Sequence, residues 1–476
     1  MPSQPRLSLS ILGAERLYYA TQQYIIHSTI PIWIVAATTP NASAQSNPVF
    51  LPSVMTAFPP RHLMIRAGCA AIGALSLAAC AATTDPVRRY GVLDDLGQSD
   101  WQSVSVGGDH SCGLKTNGNA YCWGSNQYGQ LGVARSDTVC GTARAQYVCN
   151  LSPTPVQPGL KFASVSAGAR HSCGITTARD AYCWGVNDAG QVSEAGNGGP
   201  SLAKVSGTLG WTQISAGYSH TCAVRTDGAL FCWGANDRGQ LGNGTIANST
   251  ANSRVRITAP VASVSAGQQR TCARTTVGAV YCWGAVWTER QSGLELTRAQ
   301  MLPELVPQAP ALASVSVGSF TTCGSDLAGV GYCWEANPRG GMGTGDQTGS
   351  TTPKVLASDL GFIQVSAGIV QSCGVATSGA GYCWGDDTFG QLGVPPTTLT
   401  GQCGDQQLAC ATAPVPVFGR QKFREISTGF GSHSCGVTTQ GNLYCWGLGL
   451  SGQRGDGSEN YAISTPIMVA EPKPTP

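Results

Sequence analysis

The chain is 476 residues long and only 11% charged, with 28 Lys and Arg against 26 Asp and Glu for a net charge of +2. Globular proteins are typically about 25% charged. With no basic stripe and no run of like charge, the sequence lacks the electrostatic footprint of a nucleic-acid binder.

The first 63 residues contain only a broken apolar run, Ile30 to Ala37, too short to cross a bilayer. They are expected to be an overlong gene start or a disordered leader. At Met64-Ile-Arg66 a basic residue opens an apolar stretch that ends Leu77-Ala-Ala-Cys80. A basic residue, a short apolar core and a small-residue site ending in cysteine resemble a bacterial lipoprotein signal. That resemblance makes residues 64–79 a signal peptide, Cys80 the lipidated mature N-terminus and 80–100 a tether. Alanine rather than aspartate at 81, by likeness to envelope lipoproteins, points to the outer membrane. The alternative is a secreted protein cleaved after Ala42-Ser43-Ala44. Setting Cys69 and Cys80 aside leaves eighteen of the twenty cysteines, an even number suited to an oxidising compartment.

From residue 101 one phrase recurs seven times. Its first copy runs Val104-Ser-Val-Gly-Gly-Asp-His-Ser-Cys112-Gly-Leu-Lys-Thr-Asn-Gly118-Asn-Ala-Tyr121-Cys122-Trp123-Gly124. The later copies pair Cys173 with Cys183, Cys222 with Cys232, Cys272 with Cys282, Cys323 with Cys333, Cys373 with Cys383 and Cys435 with Cys445. First cysteines lie 61, 49, 50, 51, 50 and 62 residues apart. A period near fifty is the mark of an array of one supersecondary unit.

The register within each unit follows from the spacing. If Cys112 faces Cys122, then 113:121, 114:120 and 115:119 pair, and Thr116-Asn117-Gly118 is a three-residue loop ending in a left-handed residue. Glycine fills that last position in six copies; the second has Arg179. Directly opposed antiparallel residues lie within disulfide range. Seven cross-strand disulfides are therefore expected, and with no CxxC in the chain they are preferred to metal sites. One hairpin face carries cysteine and aliphatics, the other tyrosine and tryptophan. Both should be buried between neighbouring sheets, the pattern of blades stacked about an axis. The last strand-like segment, Thr465 to Val469, is expected to complete the first blade and so close the ring, with 471–476 a disordered tail.

At His110-Ser-Cys, Tyr121-Cys-Trp-Gly and Asn126-Gln-Tyr-Gly-Gln-Leu-Gly132 the repeat resembles the regulator of chromosome condensation repeat family. Its Trp-Gly-x-Asn-x-x-Gly-Gln-Leu-Gly signature recurs at Trp233 to Gly242 and, with Asp387 for asparagine, at Trp384 to Gly393. The resemblance implies an all-β, seven-bladed propeller over 101–470. Kelch repeats share the period but not the phrase. The fourth copy loses Gly-Gln-Leu-Gly, the fifth reads Trp334-Glu335, and the seventh has Gly452-Gln-Arg-Gly455. The exchange of guanine nucleotides associated with the family name depends on surface loops that have no match here.

Four of six histidines share one repeat position, His110, His171, His220 and His433; the other copies have Arg270, Thr321 and Gln371. They read as scaffold residues, each tying its strand to an adjacent backbone group. The Trp-Gly tryptophans read as core. No Walker motif, Gly-x-Ser-x-Gly elbow or HExxH occurs, so no catalytic residue, cofactor or metal is expected. The two long intervals hold residues 133–152 with Cys140 and Cys149, and 394–413 with Cys403 and Cys410. Both leave the same point of the blade and should flank the seventh unit on one rim; whether their cysteines pair within or between the loops is open. Rigid loops on a fixed scaffold suit recognition. The expected function is a non-catalytic, monomeric envelope lipoprotein that binds a protein partner through these loops, with Tyr147 and Asp405 as candidate contacts. The alternatives are an inhibitor of a secreted enzyme, since a bacterial β-lactamase inhibitory protein is similar in using this repeat class, and a glycan-active or glycan-binding propeller.

Overall fold

Seven antiparallel sheets follow one another along the chain in a computed structural model that describes residues 99–472, apart from 137, 143–144, 194–197, 208–209, 291–292, 400 and 405–406. Cys80, the signal-like stretch and nearly all of the tether lie outside the described residues. Each sheet takes its strands in sequence order, as in Trp101–Val106, His110–Lys115, Ala120–Ser125 and Ala145–Pro155 for the first. The first and sixth gain a fifth strand from their inserted residues, Thr138–Thr142 and Gln402–Cys403.

The hairpin register is the one the cysteine spacing requires: Cys112 faces Cys122, Gly113 faces Tyr121 and Leu114 faces Ala120. Gly118 is left-handed at φ 80°, and Arg179 adopts the same conformation at φ 65°, so the turn is kept even without glycine. All seven expected cross-strand disulfides are present. Cys112 is bonded to Cys122, Cys173 to Cys183, Cys222 to Cys232 and Cys272 to Cys282. In the last three blades Cys323 is bonded to Cys333, Cys373 to Cys383 and Cys435 to Cys445. Their Cα atoms are 4.0–4.1 Å apart, nearest to the closer kind of directly opposed pair, at about 4.5 Å. The pairing left open in the inserts is local: Cys140 bonds to Cys149 and Cys403 to Cys410, each closing within its own loop.

Both faces of every hairpin are buried, and the core is divided into seven clusters, one per junction. In the first junction Cys112, Leu114, Ala120 and Cys122 meet Phe162 and Trp184 of the next sheet. The last junction brings Cys435, Val437 and Leu443 of the seventh sheet against Trp101, Val104 and Trp123 of the first. The array is thus a closed seven-bladed propeller.

The C-terminal strand has a different place from the expected one. Ala462–Met468 pairs with Leu443–Leu448 and completes the seventh sheet. Because Trp101 already begins a full four-stranded sheet, the first blade has no gap for it to fill. Besides the core packing and a backbone bond from Trp101 N–H to the Gly441 carbonyl (3.1 Å), the seam is joined by side-chain chemistry on the innermost strands, which lie side by side around the axis. Ser105 accepts a hydrogen bond from the Ala167 N–H of the next sheet (2.9 Å), and Ser166, Ser215, Ser265, Ser316 and Ser366 repeat the contact around the ring. Ser427 closes it by accepting from Val106 N–H at 3.1 Å.

Candidate functional site

A second lock ties four of the sheets to the next and explains the histidines. His110 Nε2 lies 2.8 Å from Ser172 Oγ, and His171, His220 and His433 make the same contact to Thr221, Thr271 and Ser111. Each hydroxyl spends its one proton on a turn carbonyl, of Gln130, Gln191, Gln240 or Gln453. The imidazole must therefore donate. Burial disfavours the charged ring and lowers each histidine pKa to about 3, so all four stay neutral. They are scaffold residues, as the repeat position suggested, although the partner is a hydroxyl of the next sheet and not the backbone.

The same turn carbonyl also accepts the indole N–H of the next sheet's tryptophan. Gln130 takes Trp184, Gln191 takes Trp233, Gln240 takes Trp283, Gly341 takes Trp384, Gln391 takes Trp446 and Gln453 takes Trp123. One residue later the turn drives a side chain into the junction core: Leu131, Val192, Leu241, Met342 or Leu392. At the seam this place is held by Arg454, which is buried and donates to the Gly447 and Asn460 carbonyls.

The junction between the fourth and fifth sheets departs from this plan. In place of the turn, the fourth sheet extends as a long hairpin, Val280–Arg290 and Gly293–Leu305. The departures scattered along the sequence converge there. Arg270, at the histidine position, forms a buried ion pair with Glu335, which stands where other copies have glycine and adopts φ 86°. Arg270 also donates to the Ala285 carbonyl (2.9 Å) and Gln300 Oε1 (3.2 Å). Thr322, the counterpart of the proton-donating hydroxyls, turns to Glu335 Oε2 at 3.1 Å. Beside this pair lies a cleft of about 750 Å³, walled by Trp287, Gln300, Val306, Trp334 and Thr351 among others.

The two cystine loops emerge on the end of the propeller that also carries this hairpin, since all three follow the third-strand position of their sheets. They lean in different directions. In the first, Tyr147 Oη meets Ser451 Oγ of the seventh sheet at 2.7 Å; in the second, Gly404 N–H donates to Gln347 Oε1 of the fifth at 2.9 Å. The first therefore braces against the seventh blade and the second away from it, toward the cleft. Asp405 lies outside the described residues. Across the axis on this end, the rings of Tyr218 and Phe430 meet edge to face at 6.0 Å. The chain enters and leaves at the opposite end: Ser99 donates to Glu471 (2.9 Å), close to the Gly441 turn.

Residues 153–475 match the RCC1-like domain, and residues 101–130 and 117–175 match the regulator of chromosome condensation (RCC1) repeat. The chain belongs to the RCC1-like domain family. Among proteins it resembles are the human probable E3 ubiquitin-protein ligase HERC3 (30% identical over 112 residues, 23% of this chain and 10% of that protein) and the Arabidopsis thaliana ultraviolet-B receptor UVR8 (28% over 100 residues, 21% of each). The matched stretches are a small part of those proteins. Among solved structures, yeast RCC1 (Prp20) bound to Kap60 gives a TM-score of 0.63 at 18% identity over 78% of this chain and 85% of that one. Human WBSCR16 gives 0.59 at 16%, over 70% and 86%. At such identities the likeness concerns the fold.

Within this RCC1-like propeller, sequence reasoning marked the cystine loops but passed over the junction of the fourth and fifth blades. The signal was present: three losses of the repeat phrase, at Arg270, after Trp283 and at Glu335, fall in adjacent copies. Only the packing of one blade's cysteine face on the next blade's tryptophan face brings them together.

Proposed function

We propose that this propeller is a non-catalytic protein-binding module of the bacterial cell envelope, held by a lipid on Cys80 and meeting its partner with the end that carries the cystine loops. The observation that carries this reading is the segregation of the additions. Both disulfide-closed loops and the long hairpin stand on one end, while Ser99 and Glu471 lie at the other. Ser99, where the described residues begin, lies on the end away from those loops. Propellers of this family bind proteins, as the yeast relative bound to Kap60 does. Nine disulfides suit an oxidising compartment, and stapled loops lose little entropy on binding.

The test is affinity capture after crosslinking on intact cells, comparing the tagged full chain with a form lacking residues 134–151 and 395–412. A partner held by the full chain and lost with the loops supports the proposal; equal capture by both forms overturns the role of the loops. Cys80→Ser should abolish incorporation of labelled fatty acid, and unchanged labelling would exclude the anchor.

A further inference from the structure

At six junctions of the ring a glycine-containing turn does two things at once. Its carbonyl accepts the tryptophan indole N–H and the neighbouring hydroxyl of the next sheet, and at all but the seam the following residue fills the junction core. The turn also rests on the next sheet's outermost strand: a Cβ added at Gly190 would touch Thr250, and one at Gly390 would touch Ser464. The fourth sheet supplies no such turn. Among the described residues the Trp334 indole nitrogen, in a side chain only 1% exposed, has no acceptor. Among the described residues the core cluster here contains Cys272, Val280, Cys282 and Val306 but none equivalent to Leu241. The cleft adjoins these positions, with Trp334, Cys282, Val306 and Thr351 in its walls.

We propose that the cleft between the fourth and fifth blades is a docking site for a glycine-containing turn of a partner polypeptide, which supplies the missing carbonyl to Trp334 Nε1 and an aliphatic side chain to the pocket lined by Cys282 and Val306. The proposal deepens the protein-binding reading above and rests on it for the partner's class. The occupant is identified by the molecule's own pattern, because five of its junctions are filled by that chemistry and the seam keeps the carbonyl with Arg454 after it. An unpaired buried N–H costs roughly a hydrogen bond's worth of desolvation, and the incoming carbonyl recovers it. The Arg270–Glu335 pair replaces the internal part of the lock: it holds the Thr322 hydroxyl, so the junction stands without a resident turn. Its neighbours facing the cleft, Gln300 and the Arg298–Glu304 pair, leave a polar rim around an apolar floor.

The probe is the chain's own third-blade turn, a peptide of residues 235–244 (Ala-Asn-Asp-Arg-Gly-Gln-Leu-Gly-Asn-Gly), titrated into full-length protein carrying ¹⁵N-labelled tryptophan indoles. The Trp334 indole signal, assigned with Trp334→Phe, should shift on addition while the other buried indoles hold still. A peptide of the same composition in scrambled order should do nothing. Trp334→Phe should weaken binding about five- to tenfold, the fold-change for one hydrogen bond. In the free protein the same substitution should leave the melting temperature unchanged or raised, whereas Trp283→Phe, which forfeits its bond to Gln240, should lower it. A Trp334 signal that never moves overturns the proposal. So does a melting-temperature loss for Trp334→Phe equal to that for Trp283→Phe, since it would mean that the chain's own residues or an ordered solvent already satisfy the N–H. A small additive that shifts the signal as well as the peptide does would also overturn it, in favour of a small-molecule site. Because the loop-deletion capture does not touch Trp334, failure here leaves the loop reading intact, and failure there leaves this titration interpretable.

Discussion

Asp387→Asn should stabilise the protein, and by more as pH rises from about 4 to neutrality, where the gain levels off. At this turn position other blades have asparagine, whose carbonyl accepts the backbone N–H five residues on and whose amide donates back: Asn236 accepts from Leu241 (2.9 Å) and donates to the Thr245 and Ala247 carbonyls. Asp387 keeps the first half, accepting from Leu392 N–H at 2.8 Å, but an ionised carboxylate cannot donate. Burial raises its pKa from 3.8 to about 7, with the Leu392 N–H opposing and the Asp386 charge adding to the rise. A folded-state pKa above the unfolded one means that the stabilising form is the protonated one. Stability from this group is full below about pH 3.8, declines as pH rises toward 7 and is lost above it. A carboxyl held near 7 forfeits up to about 4 kcal/mol once ionised. Asparagine does not titrate, so the variant should match the parent near pH 4 and exceed it by a few kcal/mol at pH 8. Guanidinium unfolding of both proteins without reductant at pH 4, 6 and 8 measures the difference. An offset that stays constant across that range, or a variant less stable at pH 8, would refute the reasoning.

Breaking the Arg270–Glu335 pair from one side should strand a buried charge at a cost of about 3–5 kcal/mol. The double variant Arg270→His with Glu335→Gly, which restores the residues found at these positions in other blades, should recover most of it in thermal melts; a double no better than the singles would assign the cost elsewhere. Ser427→Ala removes the acceptor for Val106 N–H at the seam and should cost about 1–3 kcal/mol, with faster amide hydrogen exchange at Val106 as the local readout. Replacing Cys222 and Cys232 together by alanine should cost about 3 kcal/mol in the chain-entropy picture, measured by denaturant unfolding against the parent.

What the sequence disclosed and what it withheld divide along a physical line. Features internal to one repeat were legible: the Cys112–Cys122 register, the left-handed turn at Gly118 and the burial of both hairpin faces all follow from alternation and spacing. Features made between repeats were not. Ser105 and its six counterparts sit in phase in every copy, yet nothing in one strand says that a serine hydroxyl will be accepted as a partner by the next blade's backbone. The C-terminal strand was misplaced for the same reason, since a repeat phrase can be cut at several points and only pairing decides which strands share a sheet. Tyr147 was picked out as a loop aromatic, but its hydroxyl partner, Ser451, is 304 residues away.

The serine belt has a consequence for how the chain can be cut. Because no strand is exchanged across the seam, the boundary between the seventh and first blades is closed by the same serine bond as the other six. Ser99 and Glu471 touch, so in a chain trimmed to residues 99–471 a short linker could join these two and new ends could be opened at another junction. Such a circular permutant should refold to the same ring with its belt of seven bonds unbroken. Strand order around the axis, and not the position of the ends, is what this molecule encodes.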